Sequence, residues 1–189
     1  MIQISSENWG GMWFTAAVNE SGKLVACAFS DRSRLESEKA VRESTQVDFS
    51  NENDSSLNRR LQELYSLFSG KGRIDLKGLD LTHVSDFRKR VYIQLCRIPR
   101  GKVTTYGAIA RKLGSRTYSR AVGLAAAMNP LPLAVPCHRL VPSSLHVGNY
   151  GMPGRKPSQG AKVKRSLLSR EGVKFHGKRV SKECVWSPE

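Results

Sequence analysis

A chain of 189 residues with 39% hydrophobic content suits one large domain or two small ones and is too apolar for wholesale disorder. No apolar run approaches the roughly 20 residues that span a bilayer, and no charged leader precedes an apolar stretch at the start, so a soluble intracellular protein is expected, cytoplasmic or, in a eukaryote, nuclear. The net charge of +15 is unevenly placed: residues 83–189 hold 21 of the 31 basic side chains and 4 of the 16 acidic ones, whereas residues 1–82 hold 10 and 12.

The first elements read as a hairpin, Trp13 to Val18 and Leu24 to Phe29, joined through Asn19-Glu20-Ser21-Gly22. Residues 31–45 are charged and expected to be helical, and Asp48 to Ser56 is polar and loop-like. Leu57, Leu61, Leu64, Tyr65 and Phe68 recur at helical spacing up to Gly70, and Lys71 to Leu81 reads as an extended linker. A helix from near Ser85 carries Phe87, Val91, Leu95 and Ile98 on one face and stops at Pro99-Arg100-Gly101. Thr105 can cap a short helix with Ile109, Ala110 and Leu113, closed by Gly114. A second helix runs from Ser115–Thr117 through Met128, so the pair has the look of a helix-turn-helix. The change of charge marks the expected domain boundary: an α/β domain with its linker over 1–82, and a mostly helical, basic domain over 83–189.

Such a basic half points to a polyanion, and nucleic acid is the commonest, because each phosphate neutralised releases counterions. Charge kept for solubility alone is the bland alternative; a membrane surface is disfavoured, since no basic amphipathic helix stands out. The helix Ser119-Arg120-Ala121-Val122-Gly123-Leu124-Ala125-Ala126-Ala127-Met128 has few long polar side chains, only Arg120 with Arg116 just before it, where a major-groove reader needs several. Two readings stay open: a small-residue face packed on a neighbouring helix, or a helix that enters a minor groove with Arg120 as its probe.

Four cysteines, Cys27, Cys96, Cys137 and Cys184, form no CxxC pair, so neither a zinc site of common spacing nor a disulfide framework is expected. Cys27 and Cys96 read as buried packing residues, and Cys184 has no assignable role. Cys137 stands apart in Asn129-Pro130-Leu131-Pro132-Leu133-Ala134-Val135-Pro136-Cys137-His138-Arg139. Its prolines are expected to hold the chain extended, and His138 and Arg139 supply the base and positive charge that a thiolate needs. On an extended chain neighbours point opposite ways, so His138 would reach the thiol through a bound water or a turn. The isolated His83, His146 and His176 read as incidental.

Pro136-Cys137-His138-Arg139, with Gly101-Lys102-Val103-Thr104-Thr105-Tyr106, Arg120-Ala121-Val122-Gly123, Asn129-Pro130, Val147-Gly148-Asn149-Tyr150 and Leu167-Leu168-Ser169-Arg170-Glu171-Gly172, resembles the O6-alkylguanine-DNA alkyltransferases in order and spacing. The resemblance implies a ribonuclease-H-like α/β first domain (a small antiparallel sheet with helices) and a winged-helix-like second one. It further implies a monomer that acts on double-stranded DNA containing alkylated guanine, without metal or other cofactor. It makes Cys137 the nucleophile toward the alkyl carbon, His138 its base through a water, Glu171 the orienter of His138, Tyr106 a donor toward N3 of the leaving guanine, and Asn129 a brace for the turn under the cysteine. Arg120 would fill the stack after base flipping. Tyr106, Arg116, Ser119, Arg120, Ala121 and Gly123 would face DNA, and Val147, Gly148, Asn149, Tyr150 and Gly151 would wall the base pocket. The stretch Met152 to Gly160 is longer than the family's usual connection and reads as a mobile loop beside that pocket. A lesion binder without transfer activity and a Cys-His hydrolase are the alternatives. Members of the first kind lack the cysteine; the charge asymmetry and the adjacency of Cys and His argue against the second.

Overall fold

The computed structural model describes residues 2–45, 49–50, 55–73, 75–151 and 156–188. Contacts divide the chain into two units: Met1–Val84 with Asn129–Ala134, and Ser85–Met128 with Val135–Glu189. Among the described residues no helix is long and apolar enough to cross a membrane.

The first unit is built on a sheet of order β3-β2-β1-β4. Its strands are β1 (Ile2–Trp9), β2 (Met12–Val18), β3 (Leu24–Ser30) and the short β4 (Phe49–Ser50). β1, β2 and β3 pair antiparallel, whereas β4 runs parallel to β1, so the sheet is mixed rather than antiparallel throughout. Strand alternation sends Phe14 and Phe29 to one face and Ala17, Ala26 and Ala28 to the other. The small face packs α1 (Arg34–Ser44) through Val41, with Ile4 alongside. The aromatic face receives α2 (Ser55–Phe68), whose Phe68 meets Phe14 edge-on at 5.3 Å and Phe29 at 5.5 Å. Cys27 is buried as expected, and its Sγ donates to Pro132 O at 3.1 Å, which ties the returning segment 129–134 to β3. Two expectations are corrected here. Phe49 and Ser50 form a strand within the stretch read as loop, and Ser55 already begins α2; Asp48 and residues 51–54 lie outside the described residues. The linker reading of 71–81 gives way to a 3₁₀ turn at Leu76–Gly78 and a bridge from Leu79 to Leu24.

The second unit is mostly helical: α3 (Asp86–Cys96), α4 (Tyr106–Lys112), α5 (Ser119–Ala127) and α6 (Pro157–Arg170). A two-residue parallel pair, β5 (Thr104–Thr105) with β6 (Leu140–Val141), and a hairpin, β7 (Phe175–His176) with β8 (Arg179–Val180), complete it. Thr105 caps α4 by accepting from Ala108 N, as its sequence position suggested. Ser115 starts a 3₁₀ turn, Arg116–Tyr118, that leads into α5 in place of one continuous helix. Tyr92 of α3 is fully buried and donates from its hydroxyl toward Ala125 O at 3.0 Å and Met128 O at 3.1 Å, satisfying carbonyls at the end of α5. Cys184 is not idle: it is 5% exposed and lies in a core cluster with Val103, Val141, Val147, Leu168, Val173 and Val180. Cys96 is only partly buried.

The stretch 152–160 also departs from a loop reading. Met152–Arg155 lie outside the described residues, but Lys156 caps α6 and Pro157–Gly160 form its first turn, with Pro at a position where no amide donor is needed. A Cβ at Gly160 would stand 2.0 Å from Tyr150 O, so only glycine allows this approach. Gly160→Ala is therefore expected to cost about 1–3 kcal/mol or more, read as a lowered thermal midpoint; a variant that melts with the native protein would show that the two segments do not touch.

Candidate active site

The site grows from a tight local turn. Pro136, with φ −79° and ψ 62°, is the centre of an inverse γ-turn in which Cys137 N donates back to Val135 O at 2.8 Å. Cys137–Arg139 then form one 3₁₀ turn before β6. The extended geometry expected at Cys137 is thus wrong: proline's fixed φ is used to turn the chain, not to straighten it. Cys137 is 8% exposed and His138 only 2%.

His138 Nε2 bonds Glu171 Oε1 at 2.8 Å, across 33 residues of sequence. Glu171 is the C-cap of α6, so the helix length sets where its carboxylate falls. Arg139 grips the same carboxylate with a fork, Nε to Oε2 and Nη2 to Oε1, each 2.8 Å, and its Nη1 donates to Ile98 O at 2.7 Å. Burial works against ionisation of Glu171, yet the bonds from His138 and Arg139 overcome it and hold the carboxyl down at about 2. For His138, burial lowers the pKa and outweighs the pull of Glu171. The imidazole is then neutral at neutral pH. Since Glu171 can only accept, the Nε2 proton points to it and the Nδ1 lone pair remains; Nδ1 is buried and meets no hydrogen-bond partner among the described residues. That is the protonation state of a base.

Lys164 of α6 was missed by sequence reasoning. It is 1% exposed, and its Nζ donates to Leu140 O at 2.6 Å and to Asn149 O at 3.4 Å, joining the strand after the cysteine turn to the Asn149-Tyr150 segment. Burial pushes its pKa down to about 8, while the Cys137 charge opposes that shift. Among the described residues it makes no ion pair with a carboxylate, and a negative charge on Cys137 would favour its charged form. The signal was present: Gly160, Lys164, Leu167, Leu168 and Glu171 fall on one helical stripe. Tyr106 at the start of α4 shares this neighbourhood; burial raises its pKa first, and the charge of Cys137 adds to the effect.

Of the pocket residues, Val147 and Tyr150 are buried, Gly148 turns the chain at φ +72°, and Asn149 and Gly151 are exposed. Gly123 lies against Tyr106: a Cβ there would be 3.9 Å from the ring. Ser119 Oγ donates to Arg116 O at 2.7 Å and is half-buried, whereas Arg116, Arg120 and Ala121 are exposed. Asn129 belongs to the first unit, where its Oδ1 accepts from Leu131 N at 3.0 Å and shapes the Asn-Pro-Leu turn. His146 accepts from Arg179 Nε at 3.2 Å, outside the cysteine cluster. Among the described residues no group of three or more His, Cys, Asp or Glu could hold a metal ion.

Residues 86–173 match the model of the 6-O-methylguanine DNA methyltransferase DNA-binding domain. The chain is 40% identical over 129 residues to a methylated-DNA–protein-cysteine methyltransferase of Saccharolobus islandicus, covering 68% of this chain and 78% of that protein. A namesake from Archaeoglobus fulgidus is 35% identical over 168 residues, 89% of this chain and 98% of that one. The fold matches that of the Mycobacterium tuberculosis OGT solved in complex with DNA, with a TM-score of 0.68, 26% identity and coverage of 89% and 92%. By identity and coverage alike, the chain belongs to the family of methylated-DNA–protein-cysteine methyltransferases.

Proposed function

We propose that this protein repairs alkylated DNA directly, moving the alkyl group from O6 of a guanine onto Cys137 in a single, irreversible event. The observation that carries the reading is the buried Cys137 beside a neutral His138 whose Nε2 is fixed by Glu171 and whose Nδ1 is left with an open lone pair. The Cys137 thiol passes its proton through one bridging water to His138 Nδ1, and Lys164 favours the resulting thiolate. The sulfur then attacks the alkyl carbon; a C–S bond forms, the C–O6 bond breaks, and its electron pair goes to the guanine. Tyr106, kept protonated by its raised pKa, can donate to that ring as charge develops. The thioether product has no easy hydrolysis route, so turnover ends. The presence of Cys137 disfavours a binder that only recognises lesions.

In this reading residues 83–189 carry DNA and chemistry, and residues 1–82 are a scaffold. The sheet order β3-β2-β1-β4, with one parallel pair after three antiparallel strands, supports a ribonuclease-H-like scaffold. The short α4 and α5 with the β7–β8 hairpin support a winged-helix-like reader acting on duplex DNA as a monomer in the compartment that holds it. The exposed face of α5 enters the minor groove, Arg116, Ala121 and Arg120 facing the duplex, and Arg120 fills the stack once the base is flipped. Val147 through Gly151 wall the pocket for that base, and Asn129 braces the turn that leads to it.

The test is intact mass after incubation with O6-methylguanine duplex: one added methyl per chain, then no further repair. More than one lesion repaired per molecule would falsify the single-event chemistry. Arg120→Ala is expected to slow duplex repair by about tenfold or more, the order of the flipping cost it offsets, and to leave transfer from a free alkylguanine base unchanged. Equal losses on both substrates would remove the stack-filling role.

A further inference from the structure

Burial divides α5 sharply. Val122 and Ala125 are buried, while Arg120, Ala121, Leu124, Ala127 and Met128 are exposed. Residues four apart lie in one row along a helix, so Arg120, Leu124 and Met128 form a single line. Leu124 is 62% exposed and Met128 51%, two of the few large hydrophobic side chains left in solvent among the described residues. The face is therefore not only small, as its alanines and glycine suggest; it is a ridge that begins in arginine and continues in hydrocarbon.

The surroundings restrict what can cover it. From Phe87 to Arg170 the chain contains no aspartate or glutamate. Arg116 and Arg120 stand exposed at the N-terminal end of the row, and Arg111 and Lys112 end the neighbouring α4. A surface that is cationic at its margin and apolar along its spine complements a groove with anionic rims and a hydrocarbon wall, which is the form of a DNA minor groove lined by deoxyribose.

We infer that Leu124 and Met128 form an apolar ridge that packs into the minor groove of duplex DNA, one and two helical turns beyond Arg120, against sugar faces and the edge of a base step. The inference rests on the reading of α5 as the helix that enters the groove. Each turn advances about 5.4 Å, so at about 3.4 Å per base step the ridge meets the duplex roughly two to three steps from the place where Arg120 enters. An apolar contact neutralises no phosphate and releases no counterion. It changes affinity without changing the salt dependence, the opposite of what an arginine does. A leucine wedged at a base step also favours steps that unstack readily, TA and CA/TG.

The experiment measures binding of the full chain to unmodified duplex across a salt series, for Leu124→Ala with Met128→Ala and, separately, for Arg116→Ala with Arg120→Ala. The apolar pair should weaken binding about tenfold at every salt concentration, giving a line parallel to the native one, and leave transfer from a free O6-alkylguanine base unchanged, which shows the fold is intact. Leu124→Met should restore most of the affinity and Leu124→Gln should not. The arginine pair should weaken binding and flatten the line. If the apolar pair binds like the native protein while the arginine pair does not, the ridge is refuted and the groove reading stands. If neither pair matters, the reading of α5 itself fails. If the apolar substitutions change the sedimentation mass and not the duplex affinity, the ridge joins two copies of the chain and the inference is overturned.

Discussion

Cys137→Ala is expected to abolish alkyl transfer, by at least about a thousandfold, while leaving duplex affinity within about twofold of native. Loss of a covalent nucleophile has consequences of that order because no other group can take the bond. Cys137→Ser should fail nearly as completely: a hydroxyl beside His138 stays protonated where a thiol ionises, and oxygen is the poorer nucleophile toward saturated carbon. Duplex affinity should persist because α5 with Arg120, and Arg116 just before it, are separate from the cysteine turn in sequence and need nothing from the sulfur. Cys27 and Cys184 provide the control. They are 3% and 5% exposed and serve packing, so their alanine variants should melt earlier and still accept one methyl group each. Methyl transfer at near-native rate to any residue in the Cys137→Ala protein would remove Cys137 from the centre of the reaction.

The chemistry was more legible than the geometry that supports it. Cys137, His138 and Glu171 could be picked out as a set, but only by their resemblance to a family; nothing local in the sequence joins Glu171 to His138 across 33 positions. The turn at Pro136 was misread because proline restricts φ and leaves ψ open, so an extended strand and an inverse γ-turn look alike in sequence. The strand Ile2–Trp9 was overlooked, although Trp9-Gly10-Gly11-Met12 carries a strong hairpin signal: both glycines have positive φ and Trp9 pairs with Met12. Its solvent-facing polar residues hid the alternation that buries Ile4 and Ser6. Lys164 escaped because a lysine is presumed exposed, and only the stripe it shares with Leu167 and Leu168 argues otherwise. The split of α5 into an arginine end and an apolar ridge needed solvent exposure, which composition cannot supply.

Glu171→Gln is expected to be the most damaging substitution to stability, about 3–5 kcal/mol, because it leaves the Arg139 charge buried without its counter-charge. Glutamine keeps one carbonyl oxygen where the carboxylate has two, and it places an amide donor where His138 Nε2 and Arg139 both already donate. With its oxygen at the Oε1 position the glutamine still accepts from His138 Nε2 and Arg139 Nη2 and turns its amide on Arg139 Nε; in the flipped rotamer the amide meets His138 Nε2 and Arg139 Nη2 instead. In that flipped rotamer His138 loses its orientation, and transfer should fall by about a hundredfold, within the range for disabling a general base. The pH dependence separates lost charge from lost shape. Glu171 is held at about 2, below its ordinary value of 4.5. A depressed carboxyl contributes stability that is fully present above its unfolded pKa and is lost as pH falls through the folded one. At about 1.4 kcal/mol per pH unit the contribution is about 3 kcal/mol near neutrality. Urea unfolding of native and Glu171→Gln protein should therefore differ most above pH 5 and converge as pH falls toward 2. A gap that stays constant over that range would assign the damage to packing alone and take Glu171 out of the electrostatic support of His138.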